Sequence, residues 1–458
     1  MSKEIASLGI SGLSQALSRK SVSAVEATRF YLDQITAQND MLRAFITVTD
    51  DLALNQANHS DERRANSASL GPLDGIPIAL KDNIDVAGIP TTGGIEAYRD
   101  NVPKEDADVV RRLRAAGAVI LGKLNLHEGA HGATTANQAY GFCQNPHKLG
   151  FTPGGSSGGA GAALAAGLCA GALGTDTLGS VRIPASFCGI AGLKPTYGLV
   201  STRGVMPLAY ALDHVGPMAR SASDLSLLLD GMAGFDPDDP SGRHGPNDFS
   251  VAQNAPSSLS ALKIGYFEDL ASVAGDTVAP AMAAAYAAAL ETLKAAGAHL
   301  IPAPWEGYDP ALVRPKALLL IEADLANIHA EMLNNHPEGF TPIFRSGIDF
   351  GVSQTAPKLA KATRIIEEVR PVARHLFSKV DALVTPTTPI PAFSFDDEMP
   401  KTITTFTAFA NYAGCPALSV PMGMTTDGLP LGLQIVTPKR EEVTSLQIGA
   451  AFENTQNT

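Results

Sequence analysis

Gly75-Ile76-Pro77-Ile78-Ala79-Leu80-Lys81-Asp82-Asn83 sets an unbroken apolar run, residues 76–80, directly against three polar residues. A run of that length reads as a short buried strand with Lys81 at its carboxyl end. Upstream, Ser23 and Glu26 have capping-box spacing, and Val25, Tyr31, Leu32 and Ile35 follow at helical intervals, so 23–35 opens a helix. A polar helix-like segment, 51–64, separates it from the strand. Downstream, Val109, Val110 and Leu113 form a helical stripe, Gly117 ends it, and 118–121 is again a strand. Helix alternating with strand is the pattern of an α/β sheet.

That pattern continues along the chain. An Ala-rich helix is expected over 160–170 and a second apolar segment over 183–193, and Ser221 offers an N-cap for a helix at 225–232. The Asp/Pro/Gly/Ser-rich residues 235–259 are the best linker candidate. Beyond them 263–267 reads as a strand and 277–296 as a helix, then 304–370 is mostly helical and less regular. Strands return at 381–384 and 429–436. The expectation is one domain over 1–458, an α/β/α sandwich around a large mixed sheet, with a peripheral helical insertion at about 304–380.

Composition narrows the function. The 458 residues are 45% hydrophobic, enough for a large core, and 34 basic against 46 acidic residues give a net charge of −12. This is the wrong sign for a nucleic-acid or anionic-membrane surface. The long uncharged run 149–175 opens with a Gly/Ser cluster and continues mainly as Ala and Gly, which favours a buried helix over a membrane span. Cys143, Cys169, Cys188 and Cys415 form no C-x-x-C pair and read as small core hydrophobes. With no export signal at the N-terminus, a cytoplasmic location is expected.

Two glycine loops hold serines: Gly154-Gly155-Ser156-Ser157-Gly158-Gly159 and Thr175-Asp176-Thr177-Leu178-Gly179-Ser180-Val181-Arg182. Each serine sits where a loop enters a helix or buried segment, a place where backbone N–H groups can converge on an oxyanion. A turn or a phosphate cradle is the plainer reading of either loop alone. A serine nucleophile needs a base, and G-x-S-x-G is absent. Lys81, at the end of a buried strand, can lose its proton through desolvation; its plainer role is a pair with Asp82 or Asp85. His127-Glu128-Gly129-Ala130-His131 matches H-E-x-x-H, but a zinc site needs a continuous helix, which Gly129 and Gly132 weaken. Residues 117–124 fall one residue short of a Walker A loop, with Leu124 where Ser or Thr would bind magnesium.

Taken together and in this order, the segment 75–84, the loop 154–159 and the segment 174–196 with Phe187-Cys188-Gly189-Ile190-Ala191-Gly192-Leu193-Lys194-Pro195-Thr196 resemble the amidase signature family. Leu212-Asp213-His214-Val215-Gly216-Pro217 and Gly428-Leu429-Pro430-Leu431-Gly432-Leu433-Gln434 extend the likeness. The resemblance implies a Ser-cisSer-Lys triad: Ser180 as nucleophile, Ser156 as bridging serine on a cis peptide bond, Lys81 as base. It further implies an oxyanion hole from the N–H groups of Thr177, Leu178, Gly179 and Ser180, with Asp176 and Arg182 fixing the loop. His131, Gly155, Leu178 and Ile183 are candidate substrate contacts, and Phe142, Tyr210 and Phe344 candidate pocket walls. The family commonly has Gly-Gly before the nucleophile; here Leu178-Gly179 stands there, and Leu178 excludes backbone angles open only to glycine.

The activity implied is metal-independent and cofactor-free hydrolysis of a carboxamide, or of a related carbamate (urethane) or ester, by a monomer or homodimer on a small-molecule substrate. A second reading is a glutamine-hydrolysing subunit of an amidotransferase, against which the apolar Leu178 and Ile183 weigh. A third is a zinc hydrolase using His127 and His131.

Overall fold

Pro77–Lys81 is a strand with every residue buried, third in an eleven-stranded sheet. The computed structural model describes residues 2–245, 248–250 and 258–456. From one edge the sheet runs Phe45–Val48, Val119–Leu124, Pro77–Lys81, Gly171–Asp176, His214–Ala219 and Ala191–Lys194. It continues through Ala417–Met424, Pro430–Val436, Ala382–Pro386, Lys263–Tyr266 and His299–Pro302. Pro77–Lys81 pairs in parallel with both neighbours, as does Lys263–Tyr266, and the remaining joints are antiparallel. The sheet is mixed, as expected.

Strand Gly171–Asp176 shows why the fold is a sandwich. A Cβ on Gly171 would meet Ile10 and Leu228, and one on Gly174 would meet Ser157 and Val181. Three residues apart on a strand, these positions face opposite sides. Helices Ile10–Ser18 and Ala222–Met232 therefore cover one face of the sheet, and the two serine loops with helices Gly158–Ala165 and Arg182–Cys188 lie on the other.

The capping box is present: Ser23 Oγ accepts from Glu26 N at 3.1 Å, Glu26 Oε2 from Ser23 N at 2.8 Å, and the helix runs Ala24–Leu42. Ser221 caps Ala222–Met232 by accepting from Asp224 N. The helix expected over 160–170 is shorter, Gly158–Ala165, because a strand follows at Gly171–Asp176. That strand holds two glycines and an alanine in six residues, and sheet propensity gives no sign of it. Small residues are needed there because the helices approach closely: the Gly171 Cβ position is 2.9 Å from Ile10 Cδ1. His214–Ala219, Phe45–Val48, His299–Pro302 and Ala417–Met424 are further strands without a clear sequence signal.

Residues 235–259 do not divide the chain into separate sheets, since strands before and after them join the same one. Where the segment is described, Asp236 accepts from Ser201 Oγ and Arg203 Nε, and Asp239 from Thr202 N, which ties it to the body. Residues 246–247 and 251–257 of that linker candidate lie outside the described residues. The region 304–380 forms helices Pro310–Ile328, Ala330–Asn335, Pro342–Val352, Ala356–Glu367 and Val369–Phe377. The four cysteines are buried and unpaired. Among the described residues no helix is long and apolar enough to cross a membrane.

Candidate active site

Lys81 ends its strand fully buried, beside the parallel strand that ends in Thr175 and Asp176. Its Nζ donates to Ser156 Oγ and Thr175 Oγ1, both at 2.7 Å. Asn83 Nδ2 also donates to Thr175 Oγ1, at 3.2 Å. Neither Asp82 nor Asp85 claims this lysine, because Asp82 pairs instead with the buried Lys123 at 2.9 Å. Burial pushes the Lys81 ammonium down to about 7, against the opposing pull of Asp213 and Asp176. A lysine of that acidity is substantially neutral at pH 7.

Ser156 follows a cis Gly155–Ser156 peptide bond. The loop is held from all sides: His127 N donates to Ser156 O, Thr135 Oγ1 to Gly154 O, and Gly158 N to Thr135 Oγ1. Ser157 Oγ bonds both backbone groups of Thr175, its hydroxyl to the carbonyl at 3.1 Å and its oxygen from the N–H at 3.3 Å. The glycines serve close approach; a Cβ on Gly159 would lie 2.4 Å from Asn125 O.

Ser180 sits in the turn between strand Gly171–Asp176 and helix Arg182–Cys188, half-buried. Asp176 and Arg182 fix that turn. Arg182 Nε and Nη2 reach Asp176 at 3.0 and 2.9 Å, and Nη1 donates to Thr407 O and Gln434 Oε1. Asn411 joins them, accepting from Arg182 and donating to Asp176. Burial alone would raise the Asp176 carboxyl, but the Arg182 charge and these hydrogen bonds hold it well below the usual range.

The turn also answers the question raised by Leu178. Gly179 has φ +133, and a Cβ there would lie 2.4 Å from Thr407 Oγ1, so glycine is required. Leu178 is not among the residues with positive φ, and its carbonyl accepts from Thr407 Oγ1 at 2.6 Å. The Gly179 N–H, expected in the oxyanion hole, is turned into the loop and donates to Asp176 Oδ1 at 2.8 Å. Thr177, Leu178 and Ser180 are the members of that set whose N–H groups remain.

A cavity of about 520 Å³ opens on Ser180. Leu178, Ile183, His131, Phe142 and Phe344 line it. Gly155 is not on its wall; it is buried, with a Cβ position 2.6 Å from Thr134 N. Tyr210 is also away from it, 59% exposed and beside a smaller hollow. The opposite wall comes from the 304–380 region through Arg314, Leu318, Ile321, Glu322, Thr341, Ile343 and Phe344.

The H-E-x-x-H segment is not a continuous helix. Glu128–Ala130 is one 3-10 turn, Gly129 and Ala130 have φ of +56 and +59, and a Cβ on Gly129 would meet the Phe344 ring at 2.3 Å. Glu128 is taken by Thr341, and burial pushes both His127 and His131 down to about 4. Among the described residues no group of three or more His, Cys, Asp or Glu converges as a metal site. This geometry overturns the zinc reading.

Sequence reasoning misses Thr175, Asn411, Arg314 and Thr407. Asn411 and Arg314 reach the site from more than 130 residues away, and no local spacing announces them. Thr175 is within reach, because it precedes Asp176 in a loop already singled out.

The family model named Amidase matches residues 26–446. The chain belongs to the amidase signature family. Among curated relatives, the A-type subunit of the glutamyl-tRNA(Gln) amidotransferase of Thermosynechococcus vestitus is 36% identical, over 97% of each chain. Among solved structures, the native peptide amidase of Stenotrophomonas maltophilia aligns with TM-score 0.86 at 31% identity, over 99% of this chain and 97% of that one. A chain from a vestigial protein complex described as revealing the origins of an s-triazine catabolic enzyme gives 0.90 at 34%, over 98% of both. An enzyme of this family is thereby established, and the curated relatives favour the amidotransferase reading over a free amide hydrolase.

Proposed function

We propose that the chain hydrolyses a carboxamide through an acyl-enzyme on Ser180, as the glutamine-hydrolysing subunit of an amidotransferase. The observation that carries the chemistry is the 2.7 Å contact of the buried Lys81 with Ser156 in the loop adjoining the cavity that Ser180 lines. Ser180 Oγ attacks the carbonyl carbon as its proton passes to Ser156, whose own proton goes to neutral Lys81. The Thr177, Leu178 and Ser180 N–H groups receive the oxyanion. The C–N bond breaks as Ser156 returns a proton to the nitrogen, and ammonia leaves. Water then cleaves the ester by the same relay, so amide and water give acid and ammonia.

The sequence relatives support glutamine as substrate and companion chains as partners. An autonomous amidase remains the second reading, favoured by the apolar wall of Leu178, Ile183, Ile403 and Phe344, which suits a bulkier amide, carbamate (urethane) or ester. Purification of the chain alone and with its co-expressed companions, with ammonia release from glutamine assayed in both, separates the two. Glutaminase activity that appears only with companions supports the amidotransferase role; hydrolysis of an aryl amide or urethane by the chain alone, with none of glutamine, supports the amidase. In either case a fluorophosphonate labels Ser180 stoichiometrically and fails to label Ser180→Ala, whose turnover falls by about four or more orders of magnitude. Labelling elsewhere sinks the triad.

A further inference from the structure

We propose that the outer wall of the cavity holds an anion subsite built on Arg314, so that the substrate carries a carboxylate remote from the bond that is cleaved. This rests on the reading of Ser180 as the nucleophile of the same cavity. Helix Pro310–Ile328 presents Arg314, Leu318, Ile321 and Glu322 to the cavity, a stripe at i, i+4, i+7 and i+8. Arg314 Nε is buried there and meets no hydrogen-bond acceptor among the described residues. Two hydroxyls share this condition: Thr404 Oγ1, on the cavity wall, and Tyr412 Oη, which interacts electrostatically with Arg314. Three donor groups without an acceptor, beside apolar side chains, are costly unless a ligand supplies the missing oxygens.

A carboxylate is the fitting ligand. It offers about four lone-pair sites and matches the planar guanidinium in a bidentate pair. The protein's own acids on this wall form no ion pair with Arg314 among the described residues. Glu128 accepts from Thr341 N at 3.0 Å, and Glu322 lies two turns beyond Arg314, about 12 Å along the helix. Burial holds both lining histidines neutral at pH 7, which leaves Arg314 as the positive charge of the cavity wall among the described residues. The α-carboxylate of an amino-acid amide is one ligand of this class; a carboxylated amide of another skeleton is the other.

Isothermal titration of the wild type with succinate, glutarate, adipate and suberate, each against the neutral diol of the same chain length, which has no bond to hydrolyse, reads the subsite without turnover. At least one dicarboxylate binds ten-fold or more tightly than its diol. Arg314→Met removes that preference and Arg314→Lys retains part of it, while both variants keep the wild-type melting temperature. Absence of preference in the wild type, or equal preference in Arg314→Met, overturns the subsite. Fluorophosphonate labelling of the same preparations distinguishes the two failures. Labelled Ser180 without a carboxylate preference removes the subsite and leaves the nucleophile, whereas an Arg314-dependent preference with unlabelled Ser180 does the reverse.

Discussion

The two walls of the cavity are built on opposite principles. On the inner wall, around the two serine loops, the side chains that hold the loops in place are matched to partners. Arg182 spends four hydrogen-bonding contacts on Asp176, Thr407 and Gln434 and a fifth on Asn411, and Ser157 bonds both backbone groups of Thr175. On the outer wall, contributed largely by residues 304–380, Arg314 holds a buried donor that nothing among the described residues satisfies, as does Thr404 on the lining of the same cavity. A paired network fixes a geometry and needs no ligand; an unpaired one is completed by something else. On the proposed reading, reaction chemistry is assigned to the inner wall and recognition of a substrate carboxylate to the outer.

The largest expected effect tests the inner wall at its base. Lys81→Ala lowers kcat/KM by about 10²–10⁴-fold, the usual contribution of a positioned base. Because burial places the Lys81 ammonium at about 7 and the mechanism needs the neutral amine, wild-type kcat/KM rises with pH. The rise is about ten-fold between pH 6 and pH 8 and levels off above, following the deprotonated fraction of a group titrating near 7. In Lys81→Ala that limb disappears. A flat wild-type profile over the same range, with chemistry rate-limiting, removes Lys81 as base.

Arg182→Met tests the pairing itself. The substitution leaves Asp176 buried without its cation, and breaking such a pair costs about 3–5 kcal/mol. Equilibrium urea denaturation measures it, and labelling of Ser180 falls in parallel because Asp176 also anchors the Gly179 and Val181 N–H groups of the nucleophile turn. A loss below about 1 kcal/mol, the scale of an ordinary substitution, would mean that the network is ornamental. Arg314→Met on the outer wall is expected to leave the melt unchanged, and this contrast separates the two walls.

The same division governs how much the sequence discloses. Lys81, Ser156, Ser180, Asp176 and Arg182 lie in short segments where strand end, glycine loop and turn are contiguous, so local pattern and family likeness both reach them. The α/β alternation is legible for the same reason, at 76–80 and 118–121. Strand Gly171–Asp176 is not, because close helix packing selects small residues there and erases the β-branched signal. Arg314 is invisible for another reason. Its position in a helical stripe looks like any surface arginine until tertiary packing turns that stripe toward Ser180. H-E-x-x-H is already discounted locally by Gly129 and Gly132; what only tertiary structure shows is that Phe344, more than 200 residues on, packs where a side chain at Gly129 would lie.

The smallest expected effect is at Leu178 in the nucleophile turn, where the adjacent Gly179 behaves in the opposite way. Gly179 has a backbone angle suited to glycine and Thr407 packed against its Cβ position, so Gly179→Ala displaces the turn and abolishes labelling of Ser180. Leu178 has neither constraint. Its N–H depends on the backbone, which leucine and glycine can both supply, and its side chain is mostly packed, with 8% exposed toward the cavity. Leu178→Gly therefore restores the family's usual Gly-Gly while changing kcat on a small amide by less than about three-fold, and KM for bulkier apolar amides by less than about ten-fold. A fall in kcat of a hundred-fold, or a gain of that size, would show that Leu178 shapes the oxyanion hole through its backbone rather than only lining the cavity with its side chain.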